Sequence, residues 1–184
     1  MRVIAGRARS MPLKAPKTLN TRPTTDRIKE TLFNILQGDI EGSVFVDVFS
    51  GSGGIGIEAL SRGAKRAYFI ENEKEAIECI TDNLHFTKFE DKAVLLKQDA
   101  IGALSLLNEK IVDIIFMDPP YKEELERKAL EVLSNAPYVT EDTMIIIEAE
   151  LSTDFSYASG LGFDVYREKT YKTNKHVFLR KIQN

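Results

Sequence analysis

Asp118-Pro119-Pro120-Tyr121 is the stretch of this 184-residue chain with the sharpest chemical content. Two consecutive prolines fix a rigid, extended turn. The Asp118 carboxylate and the Pro119 carbonyl can then accept both hydrogens of one planar exocyclic amine. Such an amine is a poor nucleophile because its lone pair is delocalised into the base. Holding its hydrogens, with a methyl donor in line, favours a more tetrahedral nitrogen and attack on the methyl carbon, a gain of positioning and electrostatics. Tyr121 can stack on the base once that base has left its own stack. A lone Asp-Pro-Pro is commonly only a turn, so its weight depends on what accompanies it.

Three other acids and a glycine loop accompany it. Gly51-Ser52-Gly53-Gly54-Ile55-Gly56 matches G-x-G-x-x-G, a pattern that lets backbone approach a ligand and serves several cofactors. Glu71, twenty residues past Gly51, stands where an acid accepts hydrogen bonds from ribose hydroxyls; read alone, it is a solvated charge. Asp47 precedes the loop and would repel a pyrophosphate, whereas S-adenosyl-L-methionine brings an ammonium and a sulfonium and no phosphate. Asp99 can accept from an adenine amino group, or cap the helix that follows, or do both through different oxygens.

The elements that must position these groups alternate. The spacing predicts a helix after Thr24-Thr25-Asp26, ending at Gly38, and a buried strand over Val44–Phe49. Further strands are expected at Ala67–Glu71, Ala93–Gln98, Val112–Met117 and Thr143–Ile147. Helices are expected at Gly54–Arg62, Glu73–His85, Ile101–Asn108 and Glu123–Ser134. Phe163–Thr170 and His176–Lys181 read as a closing hairpin. Short apolar strands alternating with helices imply an α/β fold, a mostly parallel sheet with helices on both faces and an antiparallel C-terminal hairpin. Ligands bind such sheets beyond the carboxyl ends of the strands, where the four acids fall.

Composition sets the outer limits. The chain is 43% hydrophobic and 29% charged, which suits one globular domain and excludes disordered or collagen-like classes. Its lone cysteine, Cys79, excludes an internal disulfide and is placed in the core; with two separated histidines, no metal site is expected. His176 can touch substrate but is placed, on balance, on a strand near the surface, and Tyr166 and Tyr171 are assigned to packing. No signal core or membrane span is visible, so a cytoplasmic protein without membrane association is expected. Residues 1–29 carry eight basic residues (Arg2, Arg7, Arg9, Lys14, Lys17, Arg22, Arg27 and Lys29) against Asp26 alone, while the remainder holds 17 basic and 27 acidic residues. A basic arm on an acidic body suggests a polyanion met through the arm. The expected division is an arm or hairpin over residues 1–23 and a single domain over 24–184.

Asp47-Val-Phe-Ser-Gly-Ser-Gly, Glu71, Asp99 and Asp118-Pro-Pro-Tyr121 together resemble class I S-adenosylmethionine-dependent methyltransferases acting on amino nitrogens of bases. Arg2-Val-Ile-Ala-Gly6, Arg22-Pro-Thr-Thr-Asp-Arg27 and Gly56-Ile-Glu-Ala-Leu-Ser-Arg-Gly-Ala64 are similar to the RsmD family, over nearly the whole chain. The family's Tyr-Gly pair near the last hairpin is here Tyr171-Lys172. The resemblance implies a Rossmann-like sheet and methylation of the N2 amine of a guanine in bacterial 16S ribosomal RNA. It implies that Asp47, Gly51 and Gly53 lie along the methionine part of the cofactor, Glu71 on the ribose and Asp99 on the adenine. Asp118, Pro119, Pro120 and Tyr121 would serve catalysis, and Arg2, Arg7, Arg9, Arg22 and Arg27 would meet RNA. A monomer acting on 16S ribosomal RNA, within a small-subunit particle, is expected. A DNA adenine-N6 or cytosine-N4 methyltransferase is the alternative; a chain of this length leaves little room for a target-recognition domain. A non-catalytic RNA-binding protein is disfavoured by the intact Asp-Pro-Pro-Tyr, and a nicotinamide oxidoreductase by Asp47.

Overall fold

A computed structural model describes residues 1–16, 25–120 and 124–183. In chain order the elements are α1 (Asp26–Ile35), β1 (Val44–Val48), α2 (Gly54–Ser61), β2 (Arg66–Ile70), α3 (Lys74–Thr87), β3 (Ala93–Leu96), α4 (Ala100–Leu106), β4 (Ile114–Met117), α5 (Leu125–Ser134), β5 (Met144–Glu150), β6 (Phe163–Thr170) and β7 (Asn174–Lys181). The strands form one sheet in the order β3-β2-β1-β4-β5-β7-β6. Neighbours from β3 to β5 are parallel, and β7 runs antiparallel to both β5 and β6. This is the mostly parallel Rossmann-like sheet with a closing hairpin. The strand order reverses between β1 and β4, the place at which sheets of this kind bind ligands beyond the strands' carboxyl ends.

Alternation along each strand sends side chains to two separate cores. Val46, Val48, Ile115 and Met117 face a cluster with Leu104 of α4 and Leu130 and Leu133 of α5. Phe45, Phe69, Phe116 and Phe178 face the other cluster, with Phe33 of α1, Ile57 and Leu60 of α2 and Ile80 of α3. Thr25 caps α1, its Oγ1 accepting the Ile28 amide at 3.3 Å; Thr24 lies outside the described residues.

Several boundaries shift by one to three residues from the sequence reading, and two of them shift for one reason. β5 runs on past Ile147 to Glu150, and β7 begins at Asn174 instead of His176, because the two pair from Ile145↔Leu179 to Glu150↔Asn174. Partnering by a strand distant in sequence extends both. Short 3-10 turns at Glu90–Lys92 and Ser156–Leu161 carry no periodic signal and were not foreseen.

The first sixteen residues pack onto the body. Arg2 and Pro12 form an isolated antiparallel bridge, and Val3, Ala8 and Leu13 are buried with α1, α2 and α3. A fully buried valine or leucine contributes roughly 1.5–3 kcal/mol. Glu58 of α2, fully buried, anchors the segment: its carboxylate accepts the amides of Ile4 (2.8 Å) and Ala5 (3.0 Å) and pairs with Arg62 (2.8 Å) and Lys29 (3.4 Å). Gly6, at φ +81°, allows the close approach, since a Cβ there would lie 1.9 Å from the Ser61 carbonyl oxygen. The basic segment is therefore less free than its charge suggests. Lys29 is buried against Glu58, Arg2 pairs with Asp26 at 2.9 Å, and Lys14 with Asp82 at 2.7 Å. Arg7, Arg9 and Arg27 are exposed.

Candidate active site

The turn after β1 is built by its own backbone and by two carboxylates. Phe49 takes a left-handed conformation (φ 61°), uncommon for a bulky residue and a mark of local strain. Ser50 closes the turn: its hydroxyl donates to the Asp47 carbonyl at 2.6 Å and accepts the Ile70 amide at 3.0 Å. Gly51 and Gly53 both have positive φ, and Gly53 is the N-cap of α2. At Gly56 a Cβ would meet the Phe69 ring at 2.4 Å, so only glycine lets α2 lie this close to β2.

Asp47 and Glu71 hold this loop. Asp47 is buried and accepts the Gly56 amide on Oδ2 at 2.8 Å. Burial pushes its carboxyl well above the usual range, the Gly56 bond opposes this, and the charges of Asp118 and Glu71 add to it. Glu71 follows β2; its Oε2 accepts the Gly51 amide at 2.8 Å, and its Oε1 accepts the amides of Asn72 and Glu73 at 2.8 and 3.0 Å.

Asp99 follows β3 as the N-cap of α4, with Oδ1 accepting the Gly102 amide at 2.8 Å. The capping role weighed against cofactor contact is thus present. Oδ2 makes no hydrogen bond among the described residues, so both roles remain open to the one carboxylate.

Asp118 follows β4, with Pro119 buried and Pro120 exposed. Nothing among the described residues donates a hydrogen bond to the Asp118 carboxylate. Burial, and secondarily the charge of Glu148, push its carboxyl up to about 8. The sheet brings Asp118 beside the glycine loop because β1 and β4 are neighbours, with Val48 opposite Met117. Tyr121 and Arg22 lie outside the described residues. Arg2, Arg7 and Arg9 belong to the packed N-terminal segment, and Arg27 to the first turn of α1.

A second polar group beside Asp118 escaped the sequence reading. His176 is fully buried, not near the surface: β7 is covered on both sides there. Its Nε2 lies 3.1 Å from Glu148 Oε2 and its Nδ1 3.1 Å from the Tyr171 hydroxyl, which thus does more than pack. Asn174 Nδ2 donates to Glu148 Oε1. An acid following the apolar run of β5 was the available signal for Glu148. Cys79, placed in the core from its helix face, is only half-buried. Among the described residues no group of acids, histidines and cysteine could hold a metal ion, and no helix is long and apolar enough to cross a membrane.

Comparison with known proteins places this arrangement. Residues 1–180 match the family described as Conserved hypothetical protein 95. The chain is 36% identical over 152 residues to the ribosomal RNA small subunit methyltransferase D of Haemophilus influenzae, covering 82% of this chain and 79% of that protein. To the protein of the same name from Escherichia coli K12 it is 32% identical over 171 residues, covering 92% and 84%. A solved Escherichia coli structure described as a methyltransferase, yhhF, is similar with a TM-score of 0.84 at 29% identity, over 98% of this chain and 97% of that one. With the family match spanning nearly all of its length, this chain belongs to the RsmD family of methyltransferases.

Proposed function

We propose that this protein transfers a methyl group from S-adenosyl-L-methionine to the exocyclic N2 amine of a guanine in 16S ribosomal RNA of the small subunit. The observation that carries the reading is the Asp118-Pro119-Pro120 turn, set beside the glycine loop at the sheet's switch point, with a carboxylate that accepts no hydrogen bond among the described residues. The donor set fits the cofactor. Carboxylates at four strand ends suit a cationic nucleoside without phosphate, and the loop's backbone is open to close approach at Gly51 and Gly53. Asp47, Gly51 and Gly53 would lie along its methionine part, Glu71 on the ribose and Asp99 Oδ2 on the adenine. When bound, it supplies a methyl group on a sulfonium. Asp118 and the Pro119 carbonyl accept the two amine hydrogens, orient the nitrogen and stabilise positive charge as it develops there. Tyr121 would stack on the guanine. The relatives' names support ribosomal RNA as the substrate.

The test is a digest of ribosomal RNA from a strain lacking the gene, read by mass spectrometry. One N2-methylguanosine of the 16S RNA should disappear and return on complementation. An unchanged RNA with a lost methylated adenine or cytosine in DNA would overturn the reading in favour of a DNA methyltransferase.

The arginines of the first 27 residues carry a second expectation. Arg2, Arg7, Arg9, Arg22 and Arg27 are proposed to meet phosphates, acting on an acidic body that attracts RNA weakly. Each neutralised phosphate contributes about 0.7 to the slope of log affinity against log salt. Replacing Arg7, Arg9 and Arg27 with alanine should therefore flatten the slope by about two units in a filter-binding titration. S-adenosylmethionine affinity should not change. An unchanged slope would place the RNA on another surface.

A further inference from the structure

The register of the sheet sets Asp118 at the end of a row of polar groups that runs away from the glycine loop across β5, β7 and β6. Met117 of β4 is opposite Ile147 of β5, so the next step along both parallel strands puts Asp118 beside Glu148. Glu148 is opposite His176 of β7, and His176 is opposite Lys169 of β6. Glu148 is 6% and His176 0% exposed. A buried carboxylate keeps its charge only when donors satisfy it, and Glu148 has two: His176 Nε2 on one oxygen and the Asn174 amide on the other. The Tyr171 hydroxyl on His176 Nδ1 fixes the ring that makes the first of these bonds. Asp118 has no such donors among the described residues.

We propose that Glu148, clamped by His176 and Asn174, is a positioning residue that acts through Asp118: a second carboxylate, fixed beside it by those two bonds, that makes Asp118 the acceptor of the proton the methylated amine must lose. The inference rests on the methyl-transfer reading above. The step balances. After transfer the amine carries one proton too many and a positive charge; an N–H bond breaks with its electron pair left on nitrogen, and an O–H bond forms on Asp118. The amine and the carboxylate both become neutral. A neighbouring negative charge favours that bond on Asp118, because two adjacent buried carboxylates cannot easily both stay ionised. Asp47 lies on the same face of the sheet, its own carboxyl raised by burial and by the charge of Asp118, and Lys169 stands beyond His176 at the sheet's margin.

The test compares the pH dependence of kcat/KM for methylation of small-subunit particles taken from a strain lacking the gene. Glu148→Gln removes the charge and should move the acid limb of the profile toward lower pH by about one unit. It should also slow transfer at high pH by about tenfold, with S-adenosylmethionine affinity unchanged. Glu148→Asp keeps the charge and should keep the limb. Asn174→Ala removes one of the two donors that fix Glu148 beside Asp118 and should move the limb the same way by less. This second variant carries the test if Glu148→Gln fails to fold. A limb left in place by both Glu148→Gln and Asn174→Ala would overturn the inference while leaving the methyltransferase reading intact. A wild-type protein that methylates no RNA in the particles would overturn both.

Discussion

Asp118→Ala should lower methyl transfer by about 10²–10³-fold, the size of effect seen when one preorganised electrostatic contact to a reacting group is removed, while leaving S-adenosylmethionine affinity within about twofold. The separation follows from place. The glycine loop is held by Asp47 and Glu71, through Gly56 and Gly51, and neither of those bonds involves Asp118. On the proposed reading Asp118 meets the target amine and not the cofactor, so its loss should appear in single-turnover transfer and not in calorimetry of cofactor binding. Near-wild-type single-turnover rates in the variant would remove Asp118 from the chemistry.

The same carboxyl predicts a pH dependence with a definite sign. Its proton is held up to about 8 in the folded protein, whereas an unfolded chain releases it near 4. Over that interval the native state binds more protons than the unfolded one, so stability falls as pH rises from about 4 to 8. Activity runs the other way. On the proposed reading the ionised form accepts the amine hydrogens, so kcat/KM should climb about tenfold per pH unit below 8 and level off above it. A bound cation favours the ionised form, so the limb in kcat should lie at lower pH than the limb in kcat/KM. Asp118→Asn should flatten both the melting-temperature profile between pH 5 and 8 and the activity limb.

Asp47, Glu71 and Asp118 were legible because each follows a short apolar run, Asp99 because it stands past one with two residues between, and a parallel sheet gathers the carboxyl ends of its strands in one place. Glu148 carries the same mark, an acid after Ile145-Ile146-Ile147, but its strand continues through it, and continuation depends on pairing with β7. Asn174 and His176 had no local signal at all. Their place beside Glu148 is set by register between strands joined through β6, and no period in the sequence encodes that. The N-terminal segment misled by its charge. Val3, Ala8 and Leu13 recur with neither helix nor strand period, so their burial was invisible, and Lys29 was counted with the solvated charges because its partner Glu58 lies on another helix. Asp99 was legible in both of its meanings, and the structure realises the capping one while leaving its second oxygen available.

Glu71→Ala should weaken S-adenosylmethionine binding by roughly ten- to a hundredfold, from about 1.5–3 kcal/mol for hydrogen bonds to a charged acceptor. Two routes lead to that loss. Glu71 is proposed to accept ribose hydroxyls, and it already accepts the amide of Gly51 across the loop and the amides of Asn72 and Glu73 at the start of α3. Removing it could act on the ligand or on the loop that cradles the ligand. A double-mutant cycle separates them. An S-adenosylmethionine analogue lacking the ribose hydroxyls removes the same contact from the other side. If Glu71 meets the ribose, the variant and the analogue each cost affinity, but together they cost little more than either alone, because one interaction has been removed twice. If Glu71 acts only by shaping the loop, the two losses add. Calorimetry of the four combinations gives the answer, and additive losses would assign Glu71 to the loop and leave the ribose to another group.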